Sequence, residues 1–132
     1  MEKILSLKKI KNKKGNIVKI LSSKDKNFKK IKEIYFSHVK LNSIKAWKKH
    51  KKNNLNLIVV LGRVKFVFCN GKNKFRSMTV SKNLYKKIYI PAGVWFGFKG
   101  LSKKNLIISI SSGLSSEKEI SRKEVNDIKF NW

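Results

Sequence analysis

At 132 residues, with 41% hydrophobic and 30% charged residues, the chain is expected to form a single domain over residues 1–132 with a two-layer core. Its formal charge of +26 reflects 33 Lys and Arg against 7 Asp and Glu, with the lysines spread over every segment and arginine only at Arg63, Arg76 and Arg122. One cysteine, Cys69, excludes a disulfide within the chain, and no apolar run approaches the roughly 20 residues that cross a membrane.

The start, Met1-Glu2-Lys3-Ile4-Leu5-Ser6, is too short in apolar residues for a signal peptide, so the expected compartment is the cytoplasm, with no membrane partner. Short apolar runs then recur between small polar turns, which is the spacing of an all-β sandwich or barrel. In chain order the expected strands are Ile4–Ile10, Ile17–Leu21, Glu33–Val39, Ile44–His50, Leu55–Leu61, Arg63–Cys69, Phe75–Val80, Leu84–Ile90, Val94–Gly100 and Leu106–Ser111. Asn70-Gly71 between two apolar runs is the strongest hairpin signal, and Ser22–Lys30 reads as a loop. Near the end, Ser116-Glu117-Lys118-Glu119 fits a capping box and predicts a short C-terminal helix.

The acidic residues exclude whole reaction classes. All seven are Glu2, Asp25, Glu33, Glu117, Glu119, Glu124 and Asp127, so the span from Ile34 to Ser116 holds none. Paired-carboxylate glycoside hydrolysis and magnesium-dependent phosphoryl transfer need acids inside the site. A Ser-His-Asp triad has no acid near either histidine in sequence, and there is neither a Gly-x-Ser-x-Gly elbow nor a Gly-rich phosphate loop. Proton transfer is left to His38, His50, the tyrosines and the lysines.

Strand alternation sorts these groups by face. Within Ile44–His50, one face carries Ile44, Ala46, Lys48 and His50, and the other Lys45, Trp47 and Lys49. A face that runs from apolar to Lys48 and His50 suits a strand lining a barrel with a polar mouth. In Glu33–Val39, Tyr35 and Ser37 share one face, and Ile34, Phe36 and His38 the other. Trp47 and Trp95 are weighed equally as a stacking platform for a base or sugar and as core or dimer-interface residues.

The segment Ile90-Pro91-Ala92-Gly93-Val94-Trp95-Phe96-Gly97-Phe98 places the only proline and a permissive glycine between two strands. It resembles the Pro-x-Gly corner of cupin-type barrels. With Glu33–Ser37, Ile44–Lys51 and Leu57–Gly62, it forms an ordered series that resembles the dTDP-4-dehydrorhamnose 3,5-epimerase family and the related dTDP-sugar 3,4-ketoisomerases. The resemblance implies an all-β, cupin-type jelly-roll barrel (a double-stranded β-helix), usually a homodimer, that binds a nucleotide-linked keto-sugar. It also implies metal-free, cofactor-free proton transfer next to the ketone, for surface polysaccharide synthesis.

By that resemblance His50 is the base; among this chain's own residues Tyr35 is a candidate acid, and Lys48 is either an anion contact or, in place of His50, a base of lowered pKa. Substrate contacts fall to Lys45, Trp47, His38, Trp95 and Phe96. The chain departs from the family where Lys48-Lys49-His50 replaces His-x-His, where Phe96 replaces a cavity histidine, and where Ser111–Ser116 lacks the tyrosine acid. The alternatives are a non-catalytic sugar-nucleotide or glycan-binding cupin, and a nucleic-acid-binding β-barrel, against which the even spread of lysines argues.

Overall fold

Alternating apolar residues give the chain two sheets whose inner faces pack together. The computed structural model describes residues 1–132. The strands are β1 (Lys3–Ser6), β2 (Lys8–Ile10), β3 (Ile17–Lys19), β4 (Glu33–Lys40), β5 (Ile44–His50), β6 (Leu55–Leu61), β7 (Arg63–Cys69), β8 (Phe75–Ser81), β9 (Lys86–Ile90), β10 (Trp95–Gly100), β11 (Lys104–Ser111) and β12 (Ile120–Arg122). One sheet runs β1-β9-β6-β11-β4 and the other β12-β5-β10-β7-β8, all antiparallel, while β2 and β3 form a separate hairpin. This is the expected all-β jelly roll.

The two inner faces differ along their length. Leu55, Leu57, Phe66, Phe68, Ile88 and Ile90, each at most 2% exposed, fill the end built from β6, β7 and β9. Each such side chain stabilises the fold by about 1.5–3 kcal/mol through the water it leaves. Toward β4, β5, β11 and β12 the inward residues become polar: Tyr35 lies opposite Ser109 in register, with Ser37, Lys48 and His50 nearby in the strands. The site therefore sits at the end where the hydrophobic filling stops.

Three local expectations change. The run Ile4–Ile10 divides, because β1 pairs with β9 while β2 turns away to pair with β3. Leu84 belongs to a 3-10 turn, Lys82–Leu84, before β9. The expected C-terminal helix is absent. Ser116 Oγ does accept the Glu119 N–H at 3.2 Å, but after this one turn the chain extends as β12 along β5. Backbone pairing there outweighs a helix too short to be stable alone. Only a 3-10 turn, Val125–Asp127, follows.

Two further ties hold the frame. The loop at Ser22–Lys30 is fastened by Lys87 Nζ, which donates to Asp25 Oδ2 at 2.8 Å and to the Ile20 carbonyl at 3.0 Å. That hydrogen bond from Lys87, with the Ser22 backbone N–H, holds the Asp25 carboxyl below its ordinary pKa. The Pro-x-Gly corner uses Gly93 at φ +90°, a conformation that favours glycine.

Candidate functional site

The site begins at the end of β5. Gly93 N–H donates to the His50 carbonyl at 2.8 Å, and Ala92 N–H donates to Asn54 Oδ1 at 3.1 Å. The corner thus fixes the backbone that carries His50. On the other side, β12 places Ile120 opposite His50 and Arg122 opposite Lys48. The residue just before β12 is Glu119, and its Oε2 lies 2.6 Å from His50 Nδ1.

Glu119 is held firmly. Its Oε1 accepts the backbone N–H groups of Lys52 and Asn53 at 3.0 and 2.9 Å. Burial opposes its charged form, but those two amides and the His50 ring outweigh burial and keep the carboxyl below its ordinary pKa. His50 is 2% exposed. Burial pushes its pKa below 6.5, Glu119 pulls upward, and Lys48 and Arg122 push down again. The net result is a neutral imidazole whose Nδ1–H faces the carboxylate, an assignment that follows from the acceptor at Nδ1. Nε2 is buried and has no hydrogen-bond partner. A buried lone pair without a donor costs free energy and is available to take a proton.

Beside this pair lies a cavity of about 670 Å³ whose wall includes Ser37, Lys45, Lys48, Phe96, Phe98, Arg122 and Lys123. Phe96 stacks on His50, with ring centroids 6.3 Å apart and an interplanar angle of 13°. Lys48 and Phe96 belong to the cavity wall, and His50 stands behind them. The pairing of β10 with β5 slips between Phe96 and Phe98, so that Phe96 faces Lys48 and Phe98 faces Lys45. Both lysines therefore line one cavity, although simple alternation puts them on opposite faces.

Lys45 Nζ donates to the His38 carbonyl at 2.8 Å. Arg122 pairs with Glu117 at 3.6 Å, while Lys48 belongs to none of the ion pairs. Burial and the nearby Arg122 lower the Lys48 pKa. The wall also holds Glu124 and Asp127, and the Asp127 carboxylate is engaged at its own turn, where Glu124 N–H donates to Asp127 Oδ2 at 2.8 Å. The cavity thus offers cations to an anionic ligand. Nowhere do three His, Cys, Asp or Glu side chains converge in the manner of a metal centre.

The remaining sequence candidates divide. Tyr35 points inward from β4, where burial raises its pKa and Ser109 partly offsets this. His38 lies on the exposed outer face of β4, edge-on to Phe36 at 5.6 Å, and only its backbone oxygen reaches Lys45. Trp47 is 2% exposed, and its Nε1–H donates to the Val125 and Ile128 carbonyls at 3.1 and 3.2 Å. Its indole packs against Trp132 and Phe75, and the residue also borders the cavity beside Lys48. Trp95 carries the ammonium groups of Lys49 and Lys123, each 4.9 Å from its ring centroid, and borders a different cavity with Lys72 and Lys129. Trp47 is a buried core residue at the cavity's edge, and Trp95 stands apart from it at the other cavity.

Sequence reasoning missed Glu119, Arg122 and Lys123. The signal at Glu119 was present as Ser116-x-x-Glu119, but that spacing reads as a helix start. Its carboxylate instead crosses to β5.

Residues 1–126 match the model of the family described as WxcM-like, C-terminal (FdtA). The chain belongs to that family. Among solved structures, this FdtA-family chain is similar to a dTDP sugar isomerase from Desulfovibrio desulfuricans G20. The TM-score is 0.90 at 24% identity, covering 99% of this chain and 90% of the other. It is also similar to the WlaRB TDP-quinovose 3,4-ketoisomerase from Campylobacter jejuni, with TM-score 0.82, 20% identity and 92% of each chain covered. A dTDP-4-dehydrorhamnose 3,5-epimerase from Bacillus anthracis gives TM-score 0.88 at 14% identity, covering 99% of this chain and 84% of the other. These likenesses establish the cupin-type fold shared with both enzyme groups. No curated protein matches the sequence.

Proposed function

We propose that the protein is a nucleotide-sugar epimerase or ketoisomerase, moving a proton next to the ketone of a dTDP-4-keto-6-deoxy sugar without a metal or cofactor. The observation that carries this reading is the buried His50–Glu119 pair, with Nε2 unpartnered, beside a cavity rich in cations. Support also comes from what similar folds hold: a QdtA 3,4-ketoisomerase with TDP-4-keto-6-deoxyglucose, and a Legionella pneumophila epimerase with dTDP-4-keto-L-rhamnose.

The carbon next to a ketone loses its proton when a base is aligned with it and the developing oxyanion is stabilised. His50 Nε2 is the base here, and Glu119 stabilises the imidazolium that forms. Lys45, Lys48, Arg122 and Lys123 hold the diphosphate and the enolate charge, Phe96 packs on the base, and Tyr35 is the candidate acid. The setting is surface polysaccharide synthesis in the cytoplasm. The protein works as a homodimer, for which the outer face of β4 offers Ile34 and Phe36, 61% and 64% exposed.

The test is solvent exchange. In D2O the wild type incorporates deuterium at the carbon next to the ketone of dTDP-4-keto-6-deoxyglucose, and His50→Ala abolishes this. The position of Lys48 and Phe96 in front of His50 favours one second reading, a cupin that binds the sugar nucleotide without turning it over. Tight binding of the dTDP-sugar with no deuterium incorporated by the wild type would establish that reading instead.

A further inference from the structure

Moving a ketone to the adjacent carbon takes two proton movements. One proton leaves the hydroxyl-bearing carbon and returns to the former carbonyl carbon. Another leaves the hydroxyl oxygen and reaches the former carbonyl oxygen. A single imidazole aimed at carbon is not placed to serve both oxygens, so a second proton carrier is needed on the same side of the ring.

We propose that Lys48 is this carrier, shuttling the proton between the two neighbouring sugar oxygens while His50 works on carbon. This rests on the reading of the site given above, and it selects ketone transposition over epimerisation. The geometry argues for it in three ways. Lys48 is in the cavity wall, within reach of a ligand held there. It lies two residues before His50 on β5, about 7 Å along the strand, which suits two groups acting on one sugar ring. It also has no hydrogen-bond or ion-pair partner, whereas Lys45 is tied to the His38 carbonyl, Arg122 to Glu117, and Lys123 lies over the Trp95 ring.

The neighbouring groups fit the role less well. Arg122 cannot release a proton near neutral pH. Tyr35 faces Ser109, is not part of the cavity wall, and has a raised pKa. Ser37 borders the cavity but is too weak an acid and base. An ammonium on a flexible stem has three rotatable donors and reaches two vicinal oxygens in turn. Burial and Arg122 ease the release of its proton.

The step balances. His50 Nε2 takes the proton from the hydroxyl-bearing carbon, and that electron pair forms the carbon–carbon double bond. The carbonyl π pair moves to oxygen, which takes a proton from the Lys48 ammonium. The neutral Lys48 amine then takes the proton of the neighbouring hydroxyl, whose O–H pair becomes the new carbonyl. The double-bond pair takes the proton back from the His50 imidazolium at the former carbonyl carbon. Both side chains end as they began, and nothing is oxidised overall.

The test follows two signals from dTDP-4-keto-6-deoxyglucose in D2O: deuterium at the carbon next to the ketone, and the ketone's position by NMR. Wild type should show both. In Lys48→Met both signals should fall, because the enolate loses a cation, but transposition should fall at least about tenfold further than exchange, because only transposition needs the proton carried from one oxygen to the other. Lys48→Arg should lose transposition similarly, although it keeps the charge.

Transposition by Lys48→Arg within a few fold of wild type would show that Lys48 supplies charge alone, overturning the shuttle. Exchange and transposition falling by the same factor in Lys48→Met would make it a carbon base or a positioning group, with the same result. Wild-type exchange without movement of the ketone overturns the shuttle and leaves proton transfer standing. Absence of any wild-type exchange removes both.

Discussion

The Glu119 carboxylate divides its oxygens between two tasks: Oε1 takes two backbone amides and Oε2 takes the His50 ring. Glutamine at this position keeps an acceptor for the amides but turns an N–H toward Nδ1. The imidazole must then carry its proton on Nε2, and the lone pair proposed as the base is lost. Glu119→Gln is therefore expected to slow deuterium exchange by on the order of 100-fold or more, with dTDP affinity little changed. Exchange at wild-type rate in that variant would show that His50 is not oriented by Glu119. The pH profile follows from the same environment. Burial sets the folded-state pKa of His50 below 6.5. Protonation removes the proposed base, so kcat/KM is expected to be flat near neutrality and to fall only as pH drops below 6.5. An acidic limb centred at or above 6.5 would mean that Glu119 outweighs burial.

At the level of elements, the strands and the corner are legible because short-range rules govern them. Alternation in β4 and β6, Asn70-Gly71, and Pro91-x-Gly93 each act within a few residues. The parts that sequence does not disclose are those decided by distant pairing. Lys45 joins Lys48 in the cavity because β10 slips against β5 between Phe96 and Phe98. Glu119 reaches His50, 69 residues away, because β12 pairs with β5 instead of coiling. Trp47 is another case, since its surroundings are the C-terminal residues that fold back over β5. Val125 and Ile128 accept its N–H, and Trp132 lies 5.2 Å from it, centroid to centroid. Truncation there removes the anchor of the tail that carries Glu124 and Asp127 into the cavity wall. Trp47→Ala is expected to destabilise the fold by about 3–5 kcal/mol in urea unfolding. A loss under about 1 kcal/mol would show that the tail holds without it.

Across the whole molecule, charge sets how the parts assemble. At +26 the chain repels itself, and several of its few acids already face a basic partner: Glu2 with Arg76, Asp25 with Lys87, Glu117 with Arg122, and Glu119 with His50. Two copies brought together would repel further, so the contact between them must come from apolar surface. The outer face of β4 is the proposed surface: Phe36 lies opposite Ile108 of β11 in register, and Ile34 opposite Ile110. Salt screens repulsion, with a Debye length of about 10 Å at 0.1 M, and does not weaken apolar contact. The proposed homodimer is therefore expected to tighten as salt rises, while dTDP binding in the cationic cavity weakens under the same change. Sedimentation across a salt series reads the first effect, and calorimetric titration of dTDP reads the second. Phe36→Glu places a charge in the contact and should yield monomers at every salt concentration. If that variant sediments as wild type, the dimer is built on another surface. Dissociation of the wild-type dimer by added salt would instead point to an interface held by ion pairs.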